Sequence, residues 1–314
     1  MTEKSYRQLL QESFKSGDTE EWLDVWFTRP IGLAMALLCG RIGMTPNAIT
    51  IVGIILGALA GWMSHYTDLT HNIVGVLLLM TANFCDSADG QLARLTNQRT
   101  LLGRLLDGFA SDVWFTCAYL AVIWRLWDEP MPLLGMPWQA WGFVLCAVAG
   151  LVCHSTQCAL ADYYRNIHLW FLKGDTGSEL DSYASEQRIY DQLKTQGWTF
   201  ERLYHFFYKG YCRKQERLTP RFQRFFKKMQ SLGTTEHHAS QFSTLRSQFL
   251  QGSRPLMPLT NILTHNTRAT ALFVAMLVNI PWLYPLFEIV VLQPLYWLMR
   301  YRHEHLCETL ESKI

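Results

Sequence analysis

Charge is scarce in this 314-residue chain: Asp, Glu, Lys and Arg make up 17% of it, where globular domains carry about 25%. Intrinsic disorder is excluded for most of the chain by 49% hydrophobic residues, including 12 Trp, 13 Tyr and 17 Phe. The eight cysteines (Cys39, Cys85, Cys117, Cys146, Cys153, Cys158, Cys212 and Cys307) contain no CxxC pair, and most lie in apolar runs. They read as small core residues rather than a zinc or redox motif. A net charge of +2 is too small to argue for a nucleic-acid partner. Residues 1–20 are polar and lack the apolar core of a secretory signal, so the chain is expected to keep its N-terminus. No internal repeat or low-complexity tract is present.

What is there is a set of long apolar blocks, interrupted by one charged segment near 165–254. Six stretches have about the length a bilayer core requires: 47–66, 71–94, 101–127, 138–164, 264–281 and 285–302. The run from Glu20 to Gly43 mixes Trp and Phe with Arg29 and Arg41 and reads as an amphipathic helix at the bilayer surface; a re-entrant or spanning helix is the alternative. The expected fold is therefore all-α and integral to the membrane, with six transmembrane helices behind a surface helix. Loops near 67–71, 127–137 and 281–285 hold no Lys or Arg, so the opposite side, with both termini, is expected in the cytoplasm. Arg125 is the exception. Gly53, Gly57 and Gly61 form overlapping GxxxG units, which suit packing within one chain and a homodimer contact equally.

This divides the chain into a cytoplasmic N-terminus with its surface helix (1–46), four spans (47–164), an insertion (165–254), and two spans with a cytoplasmic C-terminus (255–314). The insertion holds 15 Lys and Arg against 8 Asp and Glu, a local balance of +7. Its basic aromatic stretch from Leu203 to Met229 suits anionic lipid headgroups or, more plainly, a solvated helix pair.

Ionisable groups inside spans cost roughly 2.5–3.5 kcal/mol each on insertion scales, so each is a functional candidate. Asp86, Asp89, Gly90, Ala93 and Arg94 follow i, i+3, i+4, i+7, i+8 and share one helix face. Gly103, Asp107 and Ser111 do the same at i, i+4, i+8 on the next helix. The short turn between these helices makes them antiparallel neighbours, bringing three carboxylates together. Three acids repel unless neutralised, and an all-oxygen set suits Mg²⁺, Mn²⁺ or Ca²⁺ rather than zinc. Small residues beside the acids leave room for a bulky anion, and Arg94 can clamp phosphate. A phosphoryl-transfer site follows in outline; the plainer alternative is a buried ion network locking two helices.

The run Asp86-Ser-Ala-Asp89-Gly90-Gln-Leu-Ala93-Arg94, eight residues, Gly103-Arg-Leu-Leu-Asp107 resembles the signature of the CDP-alcohol phosphotransferases (CDP-alcohol phosphatidyltransferases), DxxDGxxAR-x8-GxxxDxxxD. The Thr45-Pro46-Asn47 that opens the first span and the six-span layout are similar to that family as well; the 165–254 insertion has no counterpart. The resemblance implies metal-dependent transfer of a substituted phosphate from a CDP-linked donor to an alcohol, releasing CMP. It implies Asp86, Asp89 and Asp107 as ligands of Mg²⁺ or Mn²⁺, and Gly90, Ala93, Arg94 and Gly103 along the nucleotide. The motif's last acid, the family's base, is Ser111 here, with Asp112 next. One residue is about 100° of helix rotation, so either a local π-bulge brings Asp112 round, or Ser111 acts with a metal-bound water, or the base lies elsewhere. Arg165 and Arg268, at the expected cytoplasmic edge, are weaker candidates for an acceptor phosphate. His154, Gln157 and Asp162 either line the acceptor cavity or pack. His265, Asn266, His303 and His305 make a weak metal signal, and His237-His238 reads as solvated.

The favoured reading is an enzyme of phospholipid synthesis with CDP-diacylglycerol as donor and inositol phosphate or another polar alcohol as acceptor. The reverse scheme, a CDP-linked headgroup with diacylglycerol or ceramide, stays open, because the motif reads only CDP and metal. From other classes come an ion or proton transporter, disfavoured by the one-sided acid cluster, and a catalytically silent relative that binds CDP-lipid, motivated by Ser111.

Overall fold

The computed structural model describes residues 5–13, 16–98, 100–197, 199–233 and 239–314. Among them the chain is helical, with a single bridge, Pro130 to Pro137, as its only β pairing. In order, the helices are α1 (Tyr6–Ser13), α2 (Arg29–Arg41), α3 (Pro46–Met63), α4 (Leu69–Leu95), α5 (Leu101–Leu126), α6 (Ala140–Ala147) and α7 (Ser155–Lys173). There follow α8 (Tyr183–Leu193), α9 (Phe200–Leu218), α10 (Pro220–Gly233), α11 (Ala239–Ser253), α12 (Met257–Asn261), α13 (His265–Leu277), α14 (Leu283–Phe287) and α15 (Gln293–Glu311). Polar residues start the long ones: Thr45, Asp68 and Thr100 accept from the backbone N–H of Ala48, His71 and Gly103.

Four helical runs are long and apolar enough to cross a membrane: α3, α4, α5 and the continuous stretch Ala140–Lys173, which passes through a π-helical segment at Val148–His154. They coincide with the first four expected spans. The expected fifth and sixth do not meet that standard. Helix α13 has 13 residues, roughly 20 Å, and Asn279 breaks the stretch beyond it with a left-handed φ of 59°. The last stretch carries Glu288, Arg300 and Arg302.

The chain forms two compact units, Met1–Ser155 with His265–Val291, and Thr156–Thr264 with Leu292–Ile314. In the first, α3 packs along both α4 and α5, and α4 and α5 meet far less closely with each other. Its glycines permit this. A Cβ at Gly57 would overlap the indole of Trp114, one at Gly61 would stand 2.7 Å from the backbone nitrogen of Ala118, and one at Gly53 would stand 3.0 Å from Cys85 Cβ. All three are occupied by contacts within the chain.

Two polar clusters tie the rest of this unit together. Arg125, the cation on the expected non-cytoplasmic side, is 7% exposed. It donates to the carbonyls of Tyr66 (2.9 Å) and Asn279 (3.2 Å) and to Asn279 Oδ1 (2.8 Å), and pairs with Glu129 at 2.8 Å. Deeper, the Glu288 carboxylate accepts from Arg268 Nη1 (2.6 Å), Tyr284 OH (2.6 Å) and Tyr119 OH (2.5 Å), with His154 Nδ1 at 3.1 Å. Arg268 and Glu288 are both fully buried.

The second unit has its own aromatic core. Phe171 and Phe249 stack with centroids 3.8 Å apart, Phe225 lies beside both, and Glu304 caps the start of α10 by accepting from the N–H of Arg221 (2.7 Å) and Phe222 (3.3 Å). Part of the basic aromatic stretch is therefore core: Phe222, Phe225 and Met229 are at most 1% exposed. His237 and His238 lie outside the described residues.

Removing one partner of a buried ion pair strands the other charge. Glu288→Ala, which leaves Arg268 uncompensated, is expected to destabilise the protein by about 3–5 kcal/mol, read as a lower denaturation midpoint in detergent. Glu288→Gln, which keeps the shape but not the charge, should destabilise it as well.

Candidate active site in the cleft between α4 and α5

The acids lie where α4 and α5 face each other over their shared support, α3. The carboxyl groups of Asp86 and Asp107 come within hydrogen-bonding reach of each other, with Asp89 and the guanidinium of Arg29 as neighbouring charges. Asp89 is 3% exposed, while Asp107 is open to the cleft. Arg94, one turn from Gly90, exerts its charge on Asp89. A Cβ at Gly90 would meet only that guanidinium, at 3.5 Å, so the backbone there is bare apart from the arginine. Across the cleft mouth, a Cβ at Gly103 would stand 2.8 Å from Asn47 Oδ1 and 3.1 Å from Thr100 Oγ1. The expected three acids, Gly90, Arg94 and Gly103 thus belong to one region, and Ala93 lies half-buried on the same turn as Arg94.

Several contributors escaped sequence reasoning. Thr50 Oγ1 donates to Asp89 Oδ2 at 2.5 Å and is 4% exposed. Its signal was available: Asn47, Thr50, Gly53 and Gly57 follow i, i+3, i+6, i+10 on the face of α3 that meets α4 and α5. Two of the variable positions of the motif also have work. Ser87 and Gln91 dock α2, since a Cβ at Gly32 would lie 2.7 Å from Ser87 Cβ and Gln91 Nε2 donates to the carbonyl of Arg29 at 3.1 Å. That contact sets Arg29, itself paired with Glu20 at 3.2 Å, beside Asp86. Asn266 Nδ2 donates to Glu21 (2.9 Å) and Asp24 (3.0 Å), fixing the segment before α2.

At the departure from the motif, α5 is an unbroken α-helix from Leu101 to Leu126. The expected π-bulge is not there, so Ser111 keeps the face of Asp107 and Asp112 stays about 100° round. The weaker candidates have partners of their own. Arg268 is fully buried, paired with Glu288 and close to His154. In the second unit Gln157 donates to Gln293 at 2.7 Å, Asp162 accepts from Tyr211 at 3.2 Å, and Arg165 is half-buried on α7. His265 packs on Trp114 and Phe115, His303 stacks on Tyr164 at 3.9 Å, and His305 faces Glu308.

With this geometry in place, comparison with known proteins is decisive for one segment. Residues 43–180 match the CDP-alcohol phosphatidyltransferase family. That segment holds the whole cleft motif. A protein of Aquifex aeolicus without an assigned activity is 37% identical over 68 residues, 22% of this chain and 33% of that protein. An archaetidylinositol phosphate synthase of Pyrococcus horikoshii is 35% identical over 77 residues, 24% of this chain and 37% of that protein. A CDP-diacylglycerol–serine O-phosphatidyltransferase of Bacillus subtilis is 34% identical over 109 residues, 34% of this chain and 55% of that protein. The chain thus spans between about a third and about a half of the length of these relatives. The named members are transferases of phosphate-containing groups. No solved structure matches.

The family implies a divalent cation. Among the described residues, no three His, Cys, Asp or Glu are grouped so as to hold a metal ion. The donor set nonetheless fits a hard cation in kind: only carboxylates, two of them close enough to share a proton that a cation would displace. Asp89 is oriented from behind by Thr50, and losing such an outer partner typically costs 10- to 100-fold in metal affinity. Thr50→Val is therefore expected to weaken Mn²⁺ binding by about 10- to 100-fold in a calorimetric titration, with Thr50→Ser restoring it. Unchanged binding in both would remove Thr50 from the site.

Proposed function

We propose that this protein transfers a substituted phosphate from a CDP-linked lipid to a polar alcohol in phospholipid synthesis, with release of CMP. The observation that carries the reading is the cleft itself: three carboxylates converge beside Gly90 and Arg94, within the segment that matches the family. CDP-diacylglycerol is the favoured donor, because one relative's name specifies it. Inositol phosphate or another polar alcohol such as serine is the favoured acceptor, in line with the names of two relatives.

Asp86, Asp89 and Asp107 hold Mg²⁺ or Mn²⁺, which supplies charge neutralisation for the diphosphate. Arg94 clamps the diphosphate, and Gly90, Ala93 and Gly103 let it lie close to the backbone. The alcohol oxygen attacks the phosphorus that carries the lipid, the bond from that phosphorus to the CMP oxygen breaks, and CMP leaves with the electron pair. The alcohol proton is taken up at positions 111–112. Ser111 shares the face of Asp107, and Asp112, exposed and one residue on, accepts the proton through a water at Ser111.

The region around the cleft is cytoplasmic in this reading, since the cation-poor loops lie at the other ends of α3, α4 and α5. The segment carrying Trp22, Trp26 and Phe27, exposed by 74%, 70% and 41%, lies in the headgroup layer.

The test is CMP release by the full-length protein in nanodiscs with Mg²⁺ or Mn²⁺, from CDP-diacylglycerol and a panel of polar alcohols. Release with one of them is the expected result. Release only from CDP-linked headgroups with diacylglycerol or ceramide would overturn the direction of transfer. Asp86→Asn and Asp107→Asn should each abolish turnover with the fold intact, and near-normal activity in either removes the site. Asp112→Asn should slow turnover by about 10²- to 10⁴-fold, the usual contribution of a proton acceptor. A large gain from Ser111→Asp combined with little loss from Asp112→Asn would instead show that the base is missing.

A further inference from the structure

In the second unit, α9 has two apolar faces where a soluble helix has one. Its packing face buries Tyr204, His205, Cys212 and Gln215, held to the α8 side by His205 with Glu186 at 2.6 Å and by Tyr208 OH donating to Asp181 at 2.9 Å. On the opposite face Phe200, Leu203, Phe206 and Phe207 are 45%, 44%, 44% and 63% exposed. Their i, i+3, i+6, i+7 spacing makes one continuous stripe, and an exposed aromatic stripe of this kind marks an interaction surface.

Cations border the stripe. Lys209 Nζ lies 3.6 Å from the centre of the Tyr190 ring, with Lys194 and Arg202 at 5.2 and 5.6 Å from it. The cluster is continuous with the stripe, because the Tyr190 and Phe206 rings are 6.0 Å apart and Lys209 is 5.5 Å from Phe206. Asp191 offsets one of the three charges, through Lys194 at 2.7 Å.

We propose that this face of α8 and α9 docks on the surface of an anionic bilayer, with the stripe in the headgroup layer and Lys194, Arg202 and Lys209 on lipid phosphates. An apolar stripe rimmed by cations is complementary to such a surface, which offers acyl chains below a layer of negative charge. A second copy of the chain is a poor occupant, since a two-fold contact through this face would set like charges against each other. The four apolar helices of the chain keep a bilayer permanently at hand. The inference does not depend on the transfer reaction.

The test uses the full chain in nanodiscs of phosphatidylcholine, with or without about one-third phosphatidylglycerol, the kind of lipid that gives a membrane its negative surface potential. A nitroxide is placed on Phe207→Cys after Cys117 and Cys158, the two half-exposed native cysteines, are changed to Ala; the other six are buried. A second label at Glu201→Cys, off the stripe, is the control. In anionic discs the label at 207 should gain oxygen accessibility and lose accessibility to a water-soluble nickel complex, while the label at 201 stays in water. Arg202→Gln with Lys209→Gln should reduce the docked fraction by about fivefold per cation removed. Water exposure at 207 in both lipids would overturn the proposal. So would dipolar coupling between labels on two copies, which would make the occupant a second chain. So would inorganic phosphate in neutral discs reproducing the effect of phosphatidylglycerol, which would make the ligand a soluble anion.

Discussion

The candidate site depends on the close packing of α3 against both helices that carry its acids. Carboxylates that meet in an apolar surrounding repel, and a loosely held helix pair would relieve that repulsion by moving apart. Here the supports cannot yield easily. Gly57 lies flat on Trp114, Gly61 on the backbone of α5, and Gly53 on Cys85 of α4, so separating the acids means breaking contacts along the length of α3. Glycine at these positions therefore brings the three backbones together, and with them the acids of α4 and α5.

Much of this was legible from residue spacing alone. The stretches expected at 47–66, 71–94 and 101–127 became Pro46–Met63, Leu69–Leu95 and Leu101–Leu126, because long apolar runs between Thr, Asp and Pro start signals leave little choice. The shared face of Asp86, Asp89 and Arg94 followed from the helical period. Contacts between elements far apart in sequence were not legible. Nothing in the run around Arg29 says that it will cross α4 at Ser87 and Gln91, and Thr50 looked like one polar residue in an apolar span until Asp89 was found beside it. The chain after residue 264 was less legible. Its two expected spans are not confirmed by length and composition, and Arg268 and Glu288 within them are accommodated by each other, by two tyrosines and by a histidine from helices near and far, a fit that no local window contains.

The basic aromatic insertion shows the limit of composition in another way. Aromatic residues between Leu203 and Met229 look equivalent in sequence, yet they divide: Phe222 and Phe225 on α10 fill a core with Phe171 and Phe249 and Tyr204 on α9 is buried, whereas Phe206 and Phe207 on α9 stay outside. What separates them is the partner each helix face finds, Glu304 and the α7 and α11 aromatics for α10, and α8 for only one side of α9. Aromatic content thus reports that surface is to be buried, and only the fold shows which part of it has been left over for something else.

The two charge clusters make the strongest physical distinction in the molecule. At Glu288 the charge is balanced from within: one carboxylate meets one guanidinium, and two phenols and an imidazole complete its coordination. Such a cluster has no need of a ligand, and its consequence is cohesion between α5, α13, α14 and the π-helical turn before α7. At Asp86, Asp89 and Asp107 the charge is all of one sign. Arg94 is near, but Arg29 is already shared with Glu20. In the proposed function a divalent cation would neutralise these acids, and a cation so held would attract the diphosphate of a nucleotide-linked donor in turn. Buried charge alone does not mark a functional site here: the Glu288 cluster is matched from within, whereas the proposed site gathers carboxylates from two helices.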